Sequence, residues 1–385
     1  MTALTVTAVD TFRVHPQWLF VRVQTSEGIT GWGEAGIQCY GRAVEGAVRD
    51  SARYLIGQDP LRVEEHWQVV RKSGFYRDGA ILASALAAID EALWDIAGKV
   101  RGVPVHELMG GPLRERIRSY VWIGGDDMCA LSIEQLVEET QARIEEGFTA
   151  FKLTPGQATS VDTPAVGHEV VERIAALREL VGPGRDIALD VHGHWSKAMA
   201  RRLLSQLEPY ELIFVEEPVL AEHLHVVREL CEATTLPIAT GERLYTRWEF
   251  LPVLQAGVAV VQPDVSQAGG ISETRRIAAL AEIFDATVAP HCPLGPIALA
   301  SSLQIDFATP NILIQEQSLA HYGDVFLDFL VDRSVFELEG GYFKRPNGPG
   351  LGIEVDEAAV ERAAEIGHDR RNPIWRHADG SYAEF

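Results

Sequence analysis

Three carboxylates recur at even spacing: Asp190, Glu216 and Glu242 lie 26 residues apart. They close the short apolar runs Ile187-Ala188-Leu189, Leu212-Ile213-Phe214-Val215 and Pro237-Ile238-Ala239. Acids converging from three strand ends repel one another unless a cation sits among them, and an all-oxygen set with open positions suits Mg²⁺. The next two runs close with Asp264 and with Pro290-His291-Cys292. A carboxylate on one strand end can orient an imidazole on the next and raise its basicity, which makes His291 the candidate base. His192 stands two residues past Asp190, so strand alternation puts it on the same face as a second candidate acid or base. Glu316, in Gln315-Glu316-Gln317, closes the eighth run and is placed to hydrogen-bond a substrate oxygen. Glu217 is expected to face away from the mouth by the same alternation. A single strand-end acid is as often a helix cap as a ligand, but three in register fit that account poorly. Nothing marks Cys292 as a lowered-pKa nucleophile.

The elements that must carry these residues read in two rhythms. Thr5 to Val14, Trp18 to Gln24 and Ile29 to Gly33 have strand composition with a Ser26-Glu27-Gly28 turn, and helical patterns follow over Val44 to Ile56 and Ala80 to Val100. Strands followed by segregated helices predict a small α+β domain over residues 1–115. From Ser119 onward, eight apolar runs alternate with helical patterns. Such units imply a parallel, fully covered sheet, and eight favour a closed barrel whose chemistry gathers at the strand C-termini. The expected fold is therefore a (β/α)7β TIM-like barrel over residues 116–340, capped by the N-terminal domain. Residues 341–385 form a C-terminal segment expected to pack back on the cap.

Composition narrows the partners. Fifty-five acidic against thirty-four basic residues give a formal charge of −21 over 385 residues. That balance disfavours nucleic acid and anionic membrane surfaces. No run approaches the roughly 18–20 apolar residues of a membrane span, and the N-terminus lacks a signal-peptide pattern. Four scattered cysteines form no Cys-x-x-Cys pair, which speaks against structural zinc and a disulfide framework. A cytoplasmic enzyme is the expectation. Phosphate-loop, dinucleotide-binding and nucleophile-elbow motifs are missing.

With these residues in place, the chain resembles the enolase superfamily, mandelate-racemase subgroup, and within it the D-galactonate dehydratases. The resemblance is carried by Tyr54 to Pro60, Gly74-Phe75-Tyr76-Arg77, Phe214 to Glu222, Ala289 to Pro296, Gln315 to Ser318 and the tail Arg371 to His377. The superfamily pairs a Lys or His base with Mg²⁺. The resemblance implies one Mg²⁺ per site on Asp190, Glu216 and Glu242, and removal of a sugar acid's C2 proton by His291 held by Asp264. It further implies His192 as acid on the departing 3-hydroxyl, Glu316 bonded to substrate oxygens, and Tyr76, Arg77, Lys152, Thr154 and His194 as substrate contacts. A homo-oligomer, dimer to octamer, is implied too.

Three positions depart from the pattern. Thr154 stands where racemases have lysine and these dehydratases asparagine; His194 replaces an expected arginine; Asp78 replaces an expected glycine. They bear on substrate choice, leaving gluconate, a pentonate or an aldarate as alternatives to D-galactonate. A non-catalytic binding protein on the same scaffold is the rival from another class.

Overall fold

The computed structural model describes residues 4–125, 128–155 and 163–384. Strands β1 (Val6–Val14), β2 (Trp18–Thr25) and β3 (Thr30–Ala35) form an antiparallel sheet in that order. It packs against α1 (Gly41–Ala52), α2 (Val63–Lys72) and α3 (Ala80–Arg101). Helix α3 comes so near β3 that a Cβ on Gly33 would overlap the Ala88 carbonyl, so glycine there is a packing requirement. Helix α4 (Val105–Leu108) and strand β4 (Arg116–Arg118) lead into the second domain.

That domain alternates strand and helix. In order come β5 (Val121–Trp122), α5 (Ile133–Glu145), β6 (Ala150–Leu153), α6 (Pro164–Val181), β7 (Asp186–Asp190), α7 (Lys197–Leu207) and β8 (Phe214–Glu216). There follow α8 (Leu224–Ala233), β9 (Ile238–Thr240), α9 (Arg247–Gln255), β10 (Val260–Val261), α10 (Gly270–Ile283), β11 (Thr287–Val288) and α11 (Pro296–Ala308). The seven strands form one curled parallel sheet in sequence order. Its two edges meet through residues 311–315: Leu313 N–H donates to the Val288 carbonyl, and Gln315 N–H to that of Arg118. The expected (β/α)7β arrangement under an α+β cap is thus realised, with the eighth run held by single bridges rather than a ladder. Side-chain caps start several helices: Thr163 Oγ1 accepts from Val166 N–H ahead of Pro164, and Ser196 Oγ from Met199 N–H.

The barrel floor explains what stands above it. Tyr120, Ala150, Ala188, Phe214, Ala239, Val260, Ala289 and Ile314 fill the interior, small residues interleaved with large. Side chains two positions on share each strand's inward face. The next layer toward the strand C-termini is therefore Lys152, Asp190, Glu216, Gln262 and Glu316, all buried.

Beyond the barrel, Leu338–Glu339 and Tyr342–Lys344 pair as a hairpin that straddles residue 340 and joins β4. The helix Glu357–Ile366 lies against the cap, where Arg22 pairs with Glu357 at 3.1 Å and Glu361 at 3.0 Å. Among the described residues, no helix is long and apolar enough to cross a membrane.

Helix α3 carries buried acids across the seam between cap and barrel. Burial pushes the Asp90 carboxyl up to about 7, although Ser272 donates to it through N–H and Oγ–H. An acid raised in this way adds stability below its unfolded pKa and loses it as pH rises through the folded value. Unfolding free energy should therefore fall by on the order of 2 kcal/mol between pH 5 and 8 on account of this group. Asp90→Asn should flatten that slope in denaturant titrations; an equal slope in both proteins would refute the assignment.

Candidate active site

Asp190 and Glu216 end β7 and β8 and face each other in register. Lys152, fully buried on β6, reaches into them: its Nζ lies 3.0 Å from Asp190 Oδ2, 2.6 Å from Glu216 Oε2 and 3.2 Å from Glu316 Oε1. Burial opposes its charge, but Asp190, Glu216 and Glu316 outweigh it and hold the ammonium well above the usual lysine range. For Asp190, burial disfavours ionisation, yet His192 and Lys152 keep its carboxyl far below the ordinary value. Glu216 goes the other way: burial and the neighbouring Asp190 push it well up.

His192 Nε2 lies 3.2 Å from Asp190 Oδ2, which raises its ring to about 9 against the effect of burial. The sequence placed His192 by strand alternation, but β7 stops at Asp190. What brings the ring back is a left-handed turn, with φ of 52° at His192 and 76° at Gly193. Trp122 stacks on the ring at 6.3 Å and 20° and donates its indole N–H to Glu316. No spacing argument marks Trp122, although an aromatic ending an inward strand is a readable signal.

Opposite stands the dyad. His291 Nδ1 is 2.7 Å from Asp264 Oδ2, and its Nε2 is 3.1 Å from Glu242 Oε2. Burial works against a charged ring, but Glu242 and Asp264 raise it well above the ordinary value; in return Glu242 is held at about 2 despite its burial. Glu316 accepts the Cys292 N–H at 2.8 Å, fixing its second oxygen beside the dyad. Burial pushes the Cys292 thiol well up, in keeping with an inert side chain. Glu217 turns away from Lys152 to Arg243, 2.5 Å distant, and Thr240.

A cation fits here. Asp190, His192 and Glu242 each offer an atom within 4.8 Å of the others, and Glu216 Oε1 is buried without a hydrogen-bond partner. The spacing groups Glu216 with Asp190 and Glu242; the atoms that converge in the structure are those of Asp190, His192 and Glu242, while Glu216 Oε2 is held by Lys152 at 2.6 Å.

The predicted substrate contacts separate. Thr154 is buried at the end of β6, its Oγ1 without a hydrogen bond. His194 lies edge-on to His192 at 6.0 Å between ring centroids. Tyr76 and Arg77 sit between α2 and α3 and line a cavity of about 220 Å³ with Trp67, Arg71 and Tyr245. None of the barrel carboxylates lines it, and Tyr76 is 88% exposed. Asp78 has φ of 69°, a conformation that favours the glycine expected there, and its carboxylate meets Arg71 at 3.0 Å.

Comparison with known proteins agrees with this architecture. Residues 2–110 match the mandelate racemase / muconate lactonizing enzyme N-terminal domain, and residues 135–359 the enolase C-terminal domain-like family. D-galactonate dehydratases of Ralstonia pickettii and Cronobacter sakazakii are 48% and 46% identical over 385 residues, covering 99% of this chain and 100% of theirs. The chain belongs to the D-galactonate dehydratase family of the enolase superfamily. This dehydratase-family chain also matches an enolase from Agrobacterium radiobacter solved with sodium and L-malate. That structure is 32% identical, with a TM-score of 0.87 over 98% of this chain and 99% of that one. A mandelate racemase/muconate lactonizing enzyme structure from Burkholderia SAR-1 is 31% identical, with a TM-score of 0.89 over 98% of this chain and 100% of that one. Members of the enolase superfamily use a divalent metal, and Asp190, His192 and Glu242 form a group that could hold one.

Proposed function

We propose that this protein is a hydro-lyase that dehydrates a sugar acid, D-galactonate, to 2-dehydro-3-deoxy-D-galactonate, with one Mg²⁺ per site held by Asp190, Glu216 and Glu242. The observation that carries this reading is the placing of two histidines across one acid cluster, His192 on Asp190 and His291 on Glu242 and Asp264. The family relatives named D-galactonate dehydratase support the substrate class.

A proton beside a carboxylate is very weakly acidic, and a divalent ion held by Asp190, Glu216 and Glu242 would supply the positive charge that offsets the negative charge developing on the substrate carboxylate. His291 takes the C2 proton at Nε2. Were Glu242 engaged as a metal ligand, that nitrogen would be released to accept the proton, while Asp264 keeps Nδ1 in place. His192 carries a proton at neutral pH and gives it to the departing 3-hydroxyl, so that water leaves and an enol remains. The enol ketonises to the 2-keto-3-deoxy acid. Glu316, anchored by Lys152, Trp122 and Cys292 N–H, presents a fixed acceptor for a substrate hydroxyl. The cytoplasm is the compartment proposed, and a homo-oligomer the assembly.

A panel of aldonic and aldaric acids tests this, with detection of 2-keto-3-deoxy products. Turnover of D-galactonate, lost on chelation and restored by Mg²⁺, is the expected result. Turnover of gluconate, a pentonate or an aldarate with galactonate inert would move the substrate. Inertness toward every acid together with no Mg²⁺ binding would leave only a binding protein on this scaffold.

A further inference from the structure

The seam between cap and barrel holds two buried acids that touch no substrate and no candidate metal ligand. Glu34, on β3, accepts the N–H of Gly295 at 2.7 Å and of Ala298 at 3.0 Å, which lie just beyond His291 and in the first turn of α11. Glu91, on α3, accepts the Ser266 hydroxyl at 2.9 Å and the Glu34 N–H at 2.9 Å. Ser266 in turn donates its N–H to Asp264 Oδ1 at 2.8 Å. The Ser266 carbonyl is gripped from the cap as well, by Ser84 Oγ at 3.0 Å and Gly36 N–H at 3.3 Å. One acid therefore fixes the loop that carries Asp264, the other fixes the loop that carries His291, and a hydrogen bond joins them. Both side chains are fully buried. An apolar pair of equal volume would hold two domains together without burying two carboxyl groups, each of which carries a desolvation penalty. What apolar packing would not supply is directional control of two separate loops.

We propose that Glu34 and Glu91 are positioning residues: the cap sets the Asp264–His291 geometry through Ser266 and the Gly295 turn, so that proton abstraction depends on cap docking. This rests on the dehydratase reading above for its kinetic consequence, though not for its structural one. Groups that orient a functional side chain from behind typically contribute about 10–100-fold. Ser266→Ala, which removes only the hydroxyl link, should lower kcat about tenfold, with KM and Mg²⁺ affinity unchanged. Glu91→Gln, which keeps one acceptor oxygen, should fall between wild type and Glu91→Ala. The kinetic isotope effect on kcat with C2-deuterated substrate should rise in each variant, because a misplaced base makes proton transfer more rate-limiting; a merely structural loss of folded enzyme would leave it unchanged.

Crystal structures of wild type and Ser266→Ala give a readout that needs no substrate. The His291–Asp264 separation, 2.7 Å here, should lengthen or the imidazole should rotate. An unmoved dyad in the variant overturns the proposal whatever the turnover. An unchanged isotope effect beside an active wild type overturns it too, whereas a wild type inert on every sugar acid counts against the dehydratase reading and leaves the crystallographic comparison to decide.

Discussion

His291→Asn is expected to abolish exchange of the substrate C2 proton with solvent deuterium and to lower turnover by ~10²–10⁴-fold, the usual contribution of a positioned acid or base. Asparagine fills much of the imidazole's place and still donates to Asp264, so Mg²⁺ binding and the unfolding midpoint should stay near wild type. The informative contrast is His192→Asn. This ring is held charged by Asp190 and takes no part in removing the C2 proton, so exchange should survive while loss of the 3-hydroxyl stops. Two opposite histidines then separate by chemistry as they do in space, one on Glu242 and Asp264 and the other on Asp190. Proton NMR of the sugar acid in D₂O with each variant provides the measurement. Undiminished exchange in His291→Asn removes that residue as the base, and loss of exchange in His192→Asn would merge the two roles.

Much of this arrangement is legible in the chain because parallel strands end where their polarity changes. Asp190, Glu216 and His291 are the first polar residues after short apolar runs, Asp264 follows Gln262 and Pro263 at the end of another, and the parallel register carries them to one rim. Less legible are features set by contacts across the fold. The charged interruption in Ala150-Phe151-Lys152-Leu153 marks Lys152 as unusual, yet its three carboxylate partners lie on β7, β8 and the eighth segment, so no local pattern pairs them. The acids Asp90, Glu91 and Asp95 interrupt the largely apolar stretch of α3 that precedes Lys99. That interruption is a readable sign of work at the seam, but not of which loop each acid holds. Strand alternation predicts an extended chain at His192, where the structure has a turn, because a left-handed φ on a non-glycine residue has no propensity signature. Tyr76 and Arg77 are placed at the substrate by family resemblance alone; α2 and α3 set them around a cavity shared with Trp67, Arg71 and Tyr245, a tertiary arrangement that no local pattern announces.

Lys152→Met should convert a self-compensated cluster into one that needs its cation. In the wild-type chain the ammonium stands among Asp190, Glu216 and Glu316 with no solvent exposure. Removing one partner of such a buried set leaves uncompensated charge, worth about 3–5 kcal/mol of lost stability. The metal-free variant should therefore unfold at markedly lower denaturant than metal-free wild type. Excess Mg²⁺ should recover more stability in the variant, since a ligand that binds only the folded state stabilises it by an amount that grows with the logarithm of its affinity, and the carboxylates freed from Lys152 gain affinity for a cation. The fall of stability with rising pH should steepen as well. Wild-type Asp190, held far below its ordinary value, contributes stability at neutral pH that is lost as pH falls through the folded pKa. Without the ammonium, the buried Glu216, already raised, is raised further and contributes stability at low pH that is lost as pH rises. Between pH 5 and pH 8 the metal-free variant should accordingly lose more stability than metal-free wild type, measured by denaturant titration with and without chelator. An unchanged midpoint with no added Mg²⁺ dependence would mean that Lys152 does not neutralise the cluster, and that Asp190 and Glu216 share protons between themselves instead.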